Sequence, residues 1–255
     1  MSPLFAIITP TFNAADTVGR TLDSVDSQNF TDYEHVVVDG AGTDGTLTVV
    51  ESRPNPRRRV FSEPDGGLYD AMNKGISRTT GRYLIFLNAG DKFHGPDTLR
   101  RIADAIAACP GEAPGVVYGQ TVLVDDAGGN PRPRHLTATR ELSLKSFATG
   151  MVVCHQAFVA LRKITGFYSM DYRFSADYEW CIRCLQHSRR NVYVGDEPLV
   201  DYLDEGLTTK NRRRSLRERF RIMAYYYGFM PTVLRHVGFL FRDLRRRLIS
   251  RKQKQ

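Results

Sequence analysis

The stretch Ser62-Glu63-Pro64-Asp65-Gly66-Gly67-Leu68-Tyr69-Asp70-Ala71-Met72-Asn73-Lys74-Gly75 decides how the chain is read. It opens as a turn. Pro64 fixes one φ, the Asp65 side chain can cap, and Gly66 and Gly67 are free to take φ > 0. A short helix over Leu68 to Ser77 follows. Helical spacing puts Asp70, Asn73, Lys74 and Ser77 on one face, and Leu68, Met72 and Ile76 on another that can pack inward. A carboxylate, an amide and an ammonium are then aimed one way from a turn that lets a backbone approach. That surface suits a polar ligand such as a sugar carrying phosphates; a capped surface helix after a loop has the same pattern.

Outward from this stretch, strands and helices alternate. Phe5-Ala6-Ile7-Ile8 reads as a buried strand ended by the polar loop Thr9-Pro10-Thr11-Phe12-Asn13. Asp16 or Thr17 can cap a helix that runs to about Gln28. Tyr33 to Gly40 is a second strand with Asp39 at its C-terminal end, followed by a Gly-rich loop holding Asp44 and a helix over Thr46 to Ser52. Arg57 to Phe61 leads into a third strand, and Tyr83 to Leu87 is a fourth, ending in Asn88-Ala89-Gly90-Asp91. Pro96 to Ala108 is helical. The alternation predicts an α/β fold with a mostly parallel central sheet flanked by helices. Ligands of such sheets bind outside the carboxyl ends of the strands, where four polar clusters fall: Thr9–Asn13, Asp39–Asp44, Glu63–Asp70 and Asn88–Asp91.

The second half is less regular. Strands are expected over Val116–Gly119, Thr121–Asp125 and Asn191–Val194, with a strand or strand end over Val152–Phe158. Helices are expected over Leu142–Thr149 and from Ser175 to about His187, and Leu199–Thr209 reads as an irregular polar loop. Cys181 and Cys184 form a lone CxxC inside a helical pattern, which reads as packing.

The 255 residues carry a net charge of +8, but unevenly. Residues 211–255 hold 14 Lys+Arg against 2 Asp+Glu, whereas residues 1–210 hold 22 against 26. Two helices are expected in the tail, with Val233, Val237, Leu240, Phe241, Leu244 and Leu248 in a stripe surrounded by arginines. Basic residues beside an apolar stripe suit an anionic bilayer surface. The chain thus divides into residues 1–210 and a basic amphipathic helical extension, 211–255. The N-terminus reads as a strand and not a signal peptide, and four cysteines without framework spacing suit a reducing compartment, hence the cytoplasm.

The motifs together resemble glycosyltransferase family 2 (GT-A fold), of the type that builds bacterial polysaccharides and glycolipids. Pro10-Thr11-Phe12-Asn13 is similar to the family's "PTYN" start. Val38-Asp39-Gly40-Ala41-Gly42-Thr43-Asp44-Gly45-Thr46 resembles its "VDGxSxDGT" segment, with Gly42 where Ser is usual. Glu63 to Gly75 resembles "E-x-D-x-G-x-YDAMNKG", and Cys154-His155-Gln156 and Ser175-Ala176-Asp177-Tyr178 are similar to segments of the same branch. The resemblance covers roughly residues 4–210. Leu203 to Thr208 stands where relatives often have a Gly-Gly-x-Ser loop.

The resemblance implies inverting transfer of a sugar from a nucleotide-diphosphate donor, UDP- or GDP-linked, to a saccharide or lipid-linked acceptor, at the inner face of the cell membrane. Pro10, Thr11 and Asn13 would line the nucleoside pocket and Asp39 would contact base or ribose. Asp65, Asp70, Asn73, Lys74, Asn88 and His155 would hold the sugar nucleotide. Asp91 would take the metal role, for Mg²⁺ or Mn²⁺, and Asp177 would be the catalytic base. The chemistry asks for these parts: a divalent cation stabilises the charge growing on the departing diphosphate, and a carboxylate takes the acceptor proton. Against these roles, Asp177 can be an N-cap, Asp91 a turn residue and His155 a satisfied core histidine.

A sugar nucleotidyltransferase needs a Gly-rich basic loop after the first strand, which Thr9–Asn13 is not. A nucleic-acid binder would use the basic tail but leave the acidic strand ends unexplained. A catalytically degenerate nucleotide-sugar-binding protein is the third alternative.

Overall fold

The computed structural model describes residues 2–125, 129–204 and 211–238. The elements of the first half are β1 (Phe5–Thr11), α1 (Ala15–Asp26), β2 (Tyr33–Asp39), α2 (Thr46–Glu51), β3 (Arg58–Ser62), α3 (Leu68–Ser77), β4 (Tyr83–Phe86), β5 (Lys92–Phe93) and α4 (Thr98–Ala107). The second half holds β6 (Val116–Tyr118), β7 (Thr121–Val124), β8 (Arg132–Pro133), α5 (Leu144–Phe147), β9 (Phe158–Leu161), α6 (Ala176–His187), β10 (Asn191–Tyr193), β11 (Val200–Leu203) and α7 (Arg212–Tyr227). Residues 229–238 are also helical.

The main sheet has seven strands in the order β10-β6-β9-β4-β1-β2-β3. β9 is antiparallel to both neighbours and the other pairings are parallel. Side chains alternate across a strand, and β1 shows the result. Ala6 and Ile8 face a core shared with Tyr69 and Met72 of α3, Trp180 of α6 and Ile222 of α7. Phe5 and Ile7 face the other side, with Val25 of α1 and Leu99 and Ile102 of α4. The layers are therefore helix, sheet, helix, as the alternation predicts. A second, four-stranded sheet of order β5-β11-β7-β8 sits beside it.

Three expectations are corrected. Of the strand or strand end expected over Val152–Phe158 only Phe158 is strand, as the first residue of β9: His155–Ala157 is a single 3-10 turn whose residues are buried by packing and not by pairing. The segment Leu199–Thr209, expected as a loop, contains β11, because Val200 pairs with both Thr121 and Phe93. The cap of α1 comes from neither Asp16 nor Thr17. Asp44 Oδ2 accepts from the Ala15 N–H at 2.9 Å and Thr46 Oγ1 from the Ala14 N–H at 2.8 Å, so the β2–α2 loop caps the helix from outside.

α7 opens the basic segment and packs on the domain body through Ile222 and Met223. Tyr227 Oη donates to the Leu144 carbonyl at 2.8 Å. Residues 239–255, and with them most of the second tail helix expected from sequence, lie outside the described residues, as do Glu205 to Lys210.

Candidate active site

The four polar clusters meet at the C-terminal ends of β1 to β4. Asp39 ends β2 fully buried. Thr11 Oγ1 donates to its Oδ1 at 3.1 Å and Ser62 Oγ to its Oδ2 at 2.8 Å, so three adjacent strand ends are tied through one carboxylate. Asn13 takes φ +48° and its Oδ1 accepts from the Thr43 N–H at 2.9 Å. A Cβ on Gly42 would lie 2.7 Å from that same Oδ1, which explains glycine at this position. Phe12 is 64% exposed beside this loop, an aromatic face left open at a strand end.

In the opening turn, Gly67 takes φ +114° and its N–H donates to Asp65 Oδ1 at 2.8 Å, as the Pro-Asp-Gly-Gly pattern predicts. Asp70 Oδ2 accepts from the Gly66 N–H at 2.9 Å and lies 3.3 Å from Lys74 Nζ. Lys74 also donates to the Pro64 carbonyl at 2.7 Å and pairs with Glu63. The Gly66 N–H and the Lys74 ammonium hold the Asp70 carboxyl below its ordinary range. Asn73 Nδ2 donates to the Tyr168 carbonyl at 3.0 Å, and its Oδ1 accepts from the Tyr168 N–H at 2.7 Å. Asp70 and Lys74 thus brace the turn, and Asn73 clamps a distant backbone.

Thr21 of α1 shapes the turn after β4. Its Oγ1 donates to the Asp91 carbonyl at 2.6 Å and accepts from the Gly90 N–H at 2.9 Å. Gly90 takes φ +99°, and a Cβ there would meet Leu203 at 2.8 Å. Asp91 is buried beneath this turn. Gln156 Nε2 donates to its Oδ2 at 2.7 Å and the Leu203 N–H to its Oδ1 at 2.9 Å. Burial nevertheless pushes the carboxyl up to about 7. Asn88 Oδ1, three residues earlier, is buried and has no hydrogen-bond partner among the described residues.

Asp177 is half-buried in the first turn of α6. It is not the N-cap: Ser175 holds that position, and its hydroxyl pairs with Ser215 of α7. Asp177 Oδ1 accepts from the Tyr178 N–H at 2.8 Å and from Tyr69 Oη at 3.0 Å. Burial raises the Tyr202 phenol, and the Asp91 and Asp177 carboxylates both add to the rise, so Tyr202 lies within electrostatic reach of each. His155 does not open onto this group. It is buried against Phe86 and Trp180, its Nε2 is 2.6 Å from Tyr168 Oη, and burial lowers it to about 4. A cavity of about 550 Å³ lined by Gly115, Leu161, Lys163 and Arg183 lies at the N-terminal ends of β4 and β6, the opposite end of the strands from these residues.

Four contributors carry no role in the sequence reading: Phe12, Thr21, Tyr69 and Gln156. Phe12, Tyr69 and Gln156 stand inside quoted motifs, so the signal was present; Thr21 looks like any polar helix residue.

Residues 6–166 match the description "Glycosyl transferase family 2". A PGL/p-HBAD biosynthesis glycosyltransferase of Mycobacterium tuberculosis is 34% identical over 192 residues, covering 73% of this chain and 71% of the relative. A putative teichuronic acid biosynthesis glycosyltransferase of Bacillus subtilis, TuaG, is 36% identical over 94 residues, 36% of this chain and 37% of the relative. Among solved structures, S. aureus TarS in complex with UDP-GlcNAc superposes with a TM-score of 0.70 at 18% identity, over 94% of this chain and 73% of that one. A mannosyltransferase from Pyrobaculum calidifontis, in complex with GDP-Man and Mn²⁺, gives 0.61 at 18%, over 93% and 75%. The sheet and its flanking helices are those of the GT-A fold. The chain belongs to glycosyltransferase family 2, in the branch concerned with bacterial glycan biosynthesis.

Proposed function

We propose that the enzyme transfers a hexose, with inversion, from a nucleotide-diphosphate sugar to a saccharide or lipid-linked acceptor. The observation that carries this reading is the presence of two carboxylates in different environments: Asp91 buried beneath the turn after β4 with Gln156 and the Leu203 N–H as donors, and Asp177 half-buried in the first turn of α6 with Tyr69 and the Tyr178 N–H as donors. The fold neighbours that hold UDP-GlcNAc and GDP-Man support a nucleotide sugar as donor.

Phe12 offers its exposed face to the base, with Pro10, Thr11, Asn13, Asp39 and Asp65 around it. Asp70 and Lys74 shape the turn that receives the sugar nucleotide, and Asn73 fixes the Tyr168 backbone beside it. Asp177 takes the proton of the acceptor hydroxyl. It stands in the first turn of α6, within the partial positive charge of the helix N-terminus.

Among the described residues, no cluster of three His, Cys, Asp or Glu could hold a metal by itself. The residues fit a Mg²⁺ or Mn²⁺ ion that takes most of its oxygens from diphosphate and water. Asp91 would supply one carboxylate, whose burial makes a nearby cation favourable, and Asn88 Oδ1, without a partner among the described residues, lies three residues away. The ion would neutralise charge developing on the leaving diphosphate.

Among the described residues no helix is long and apolar enough to cross a membrane. Tyr225, Phe229, Met230 and Leu234 are 61–80% exposed on α7 and the helix after it, next to the most basic part of the chain. This supports docking of residues 211–255 on an anionic bilayer at the inner face of the membrane.

The test is donor hydrolysis without acceptor, screened over UDP- and GDP-sugars with Mn²⁺. Wild type should release one nucleoside diphosphate. Chelator and Asp91→Ala should abolish release, and Asp177→Asn should bind donor but turn it over poorly. Wild type that neither hydrolyses any donor nor gains thermal stability from any nucleotide would overturn the reading in favour of a degenerate binder.

A further inference from the structure

Both hydrogen bonds made to the Asp177 carboxylate fall on one oxygen. The Tyr178 N–H and Tyr69 Oη converge on Oδ1 at 2.8 and 3.0 Å. Among the described residues Oδ2 accepts none. The Tyr178 bond is local to α6 and would tolerate rotation of the carboxylate. The Tyr69 bond is not local, because it comes from α3, 108 residues earlier in the chain.

The Tyr69 ring is itself fixed. It is buried and stacks on Tyr168, with centroids 5.5 Å apart and planes at 26°. Tyr168 stacks in turn on Trp180 of α6 at 5.2 Å and 19°. Its hydroxyl pairs with His155, and its backbone N–H and carbonyl are both clamped by Asn73. Three aromatic rings thus form a stack from α3 to α6, with a phenol at one end on the carboxylate. Burial raises the Tyr69 phenol well above its ordinary range, which keeps it protonated and able only to donate to an anion.

We propose that Tyr69 is a positioning residue that holds Asp177 by Oδ1 so that Oδ2 faces the acceptor hydroxyl. The proposal rests on the reading of Asp177 as the base. It also gives the Asn73 amide and His155 a purpose in the same device: they fix the ring on which Tyr69 lies. Proton transfer is sensitive to placement at the scale of an ångström, and loss of such a constraint costs up to about 100-fold in rate.

The test is Tyr69→Phe, which keeps the ring and the stack and removes the donor. Sites are counted by stoichiometric nucleotide binding, so a partly folded sample does not mimic a slow one. Expected are a roughly 10–100-fold fall in kcat for transfer and an unchanged KM for donor. In the Asp177→Asn background the same substitution should have no further effect on kcat, since its partner anion is gone. Collapse of turnover in Asp177→Asn with wild-type kcat in Tyr69→Phe would overturn the positioning role alone. Wild-type kcat in Asp177→Asn would overturn the base assignment and the positioning role with it. A Tyr69→Phe effect confined to donor KM, or one that persists fully in Asp177→Asn, would mark Tyr69 as a packing or donor residue.

Discussion

Gln156 Nε2 lies 2.7 Å from Asp91 Oδ2 and is a side-chain donor to that carboxylate. Gln156 is placed in turn by Cys154, whose Sγ donates to its Oε1 at 2.9 Å. A buried carboxylate needs such donors to stay ionised. Gln156→Leu should raise the Mn²⁺ concentration needed for half-maximal donor hydrolysis by about 10–100-fold, the range typical of groups that orient a metal ligand. An unchanged activation constant would show that Gln156 only fills space.

Asp91 gives a stability signature of unusual sign. Burial moves its carboxyl from 3.8 to about 7, so between these values the folded chain holds a proton that the unfolded chain has released. Its contribution is complete below about pH 3.8 and is lost as pH rises toward 7. In chelator, the melting temperature of Asp91→Asn relative to wild type should climb across that window. Mn²⁺ with nucleotide should recover wild-type stability more at pH 7.5 than at pH 5.5, because binding needs the ionised form.

Two buried histidines act oppositely. His35 is lowered from 6.5 to about 3, by burial and then by Arg58, and His155 from 6.5 to about 4 by burial. Both stay neutral in the fold, so their contribution is present above pH 6.5 and lost as pH falls toward 4 and below. Arg58 Nε donates to His35 Nδ1 at 3.2 Å, which leaves Nε2–H to donate to Thr9 Oγ1 at 3.0 Å. Urea unfolding from pH 7 to 4.5 should show falling stability. His35→Gln, able to donate and accept in the same place, should make the fall shallower.

Gly75 lies where α3 crosses β1. A Cβ there would sit 2.4 Å from Ile8 Cγ2, closer than any real contact. Gly75→Ala should cost about 1–3 kcal/mol in denaturant unfolding, the usual range for overpacking. The loss should appear in activity as well, because α3 carries Tyr69 and Asn73.

Burying one leucine-sized side chain is worth about 1.5–3 kcal/mol, so removing one should cut partitioning roughly 10–100-fold. Met230→Asp and Leu234→Asp, both at exposed positions, should each weaken sedimentation with phosphatidylglycerol vesicles by that factor. Soluble-donor hydrolysis should be unaffected. Equal binding to neutral vesicles would remove the role given to the arginines.

The parallel half of the sheet was legible because its signals are local. β1, β2 and β4 hold apolar runs closed by polar turns, and the bounds expected for α3 are those observed. The second half was harder, because its pairings are long-range. β11 has only four residues, of which Asp201 and Tyr202 are polar, and it exists because β7 and β5 lie on either side. Site residues divide in the same way. Asp39, Asp91 and Asp177 could be picked out by their motifs. The Tyr69–Asp177 bond spans two helices far apart in the chain, and no spacing rule reaches across 108 residues.

Glu218 of α7 accepts from the backbone N–H groups of Arg173 and Phe174 at 3.0 and 2.8 Å, just before α6 begins. The helix that opens the basic segment therefore steadies the chain that presents Asp177. A protein shortened to end near residue 205 would keep its seven-stranded sheet and lose that brace. If the basic segment docks as proposed, a load on it would reach the segment that presents Asp177 through Glu218.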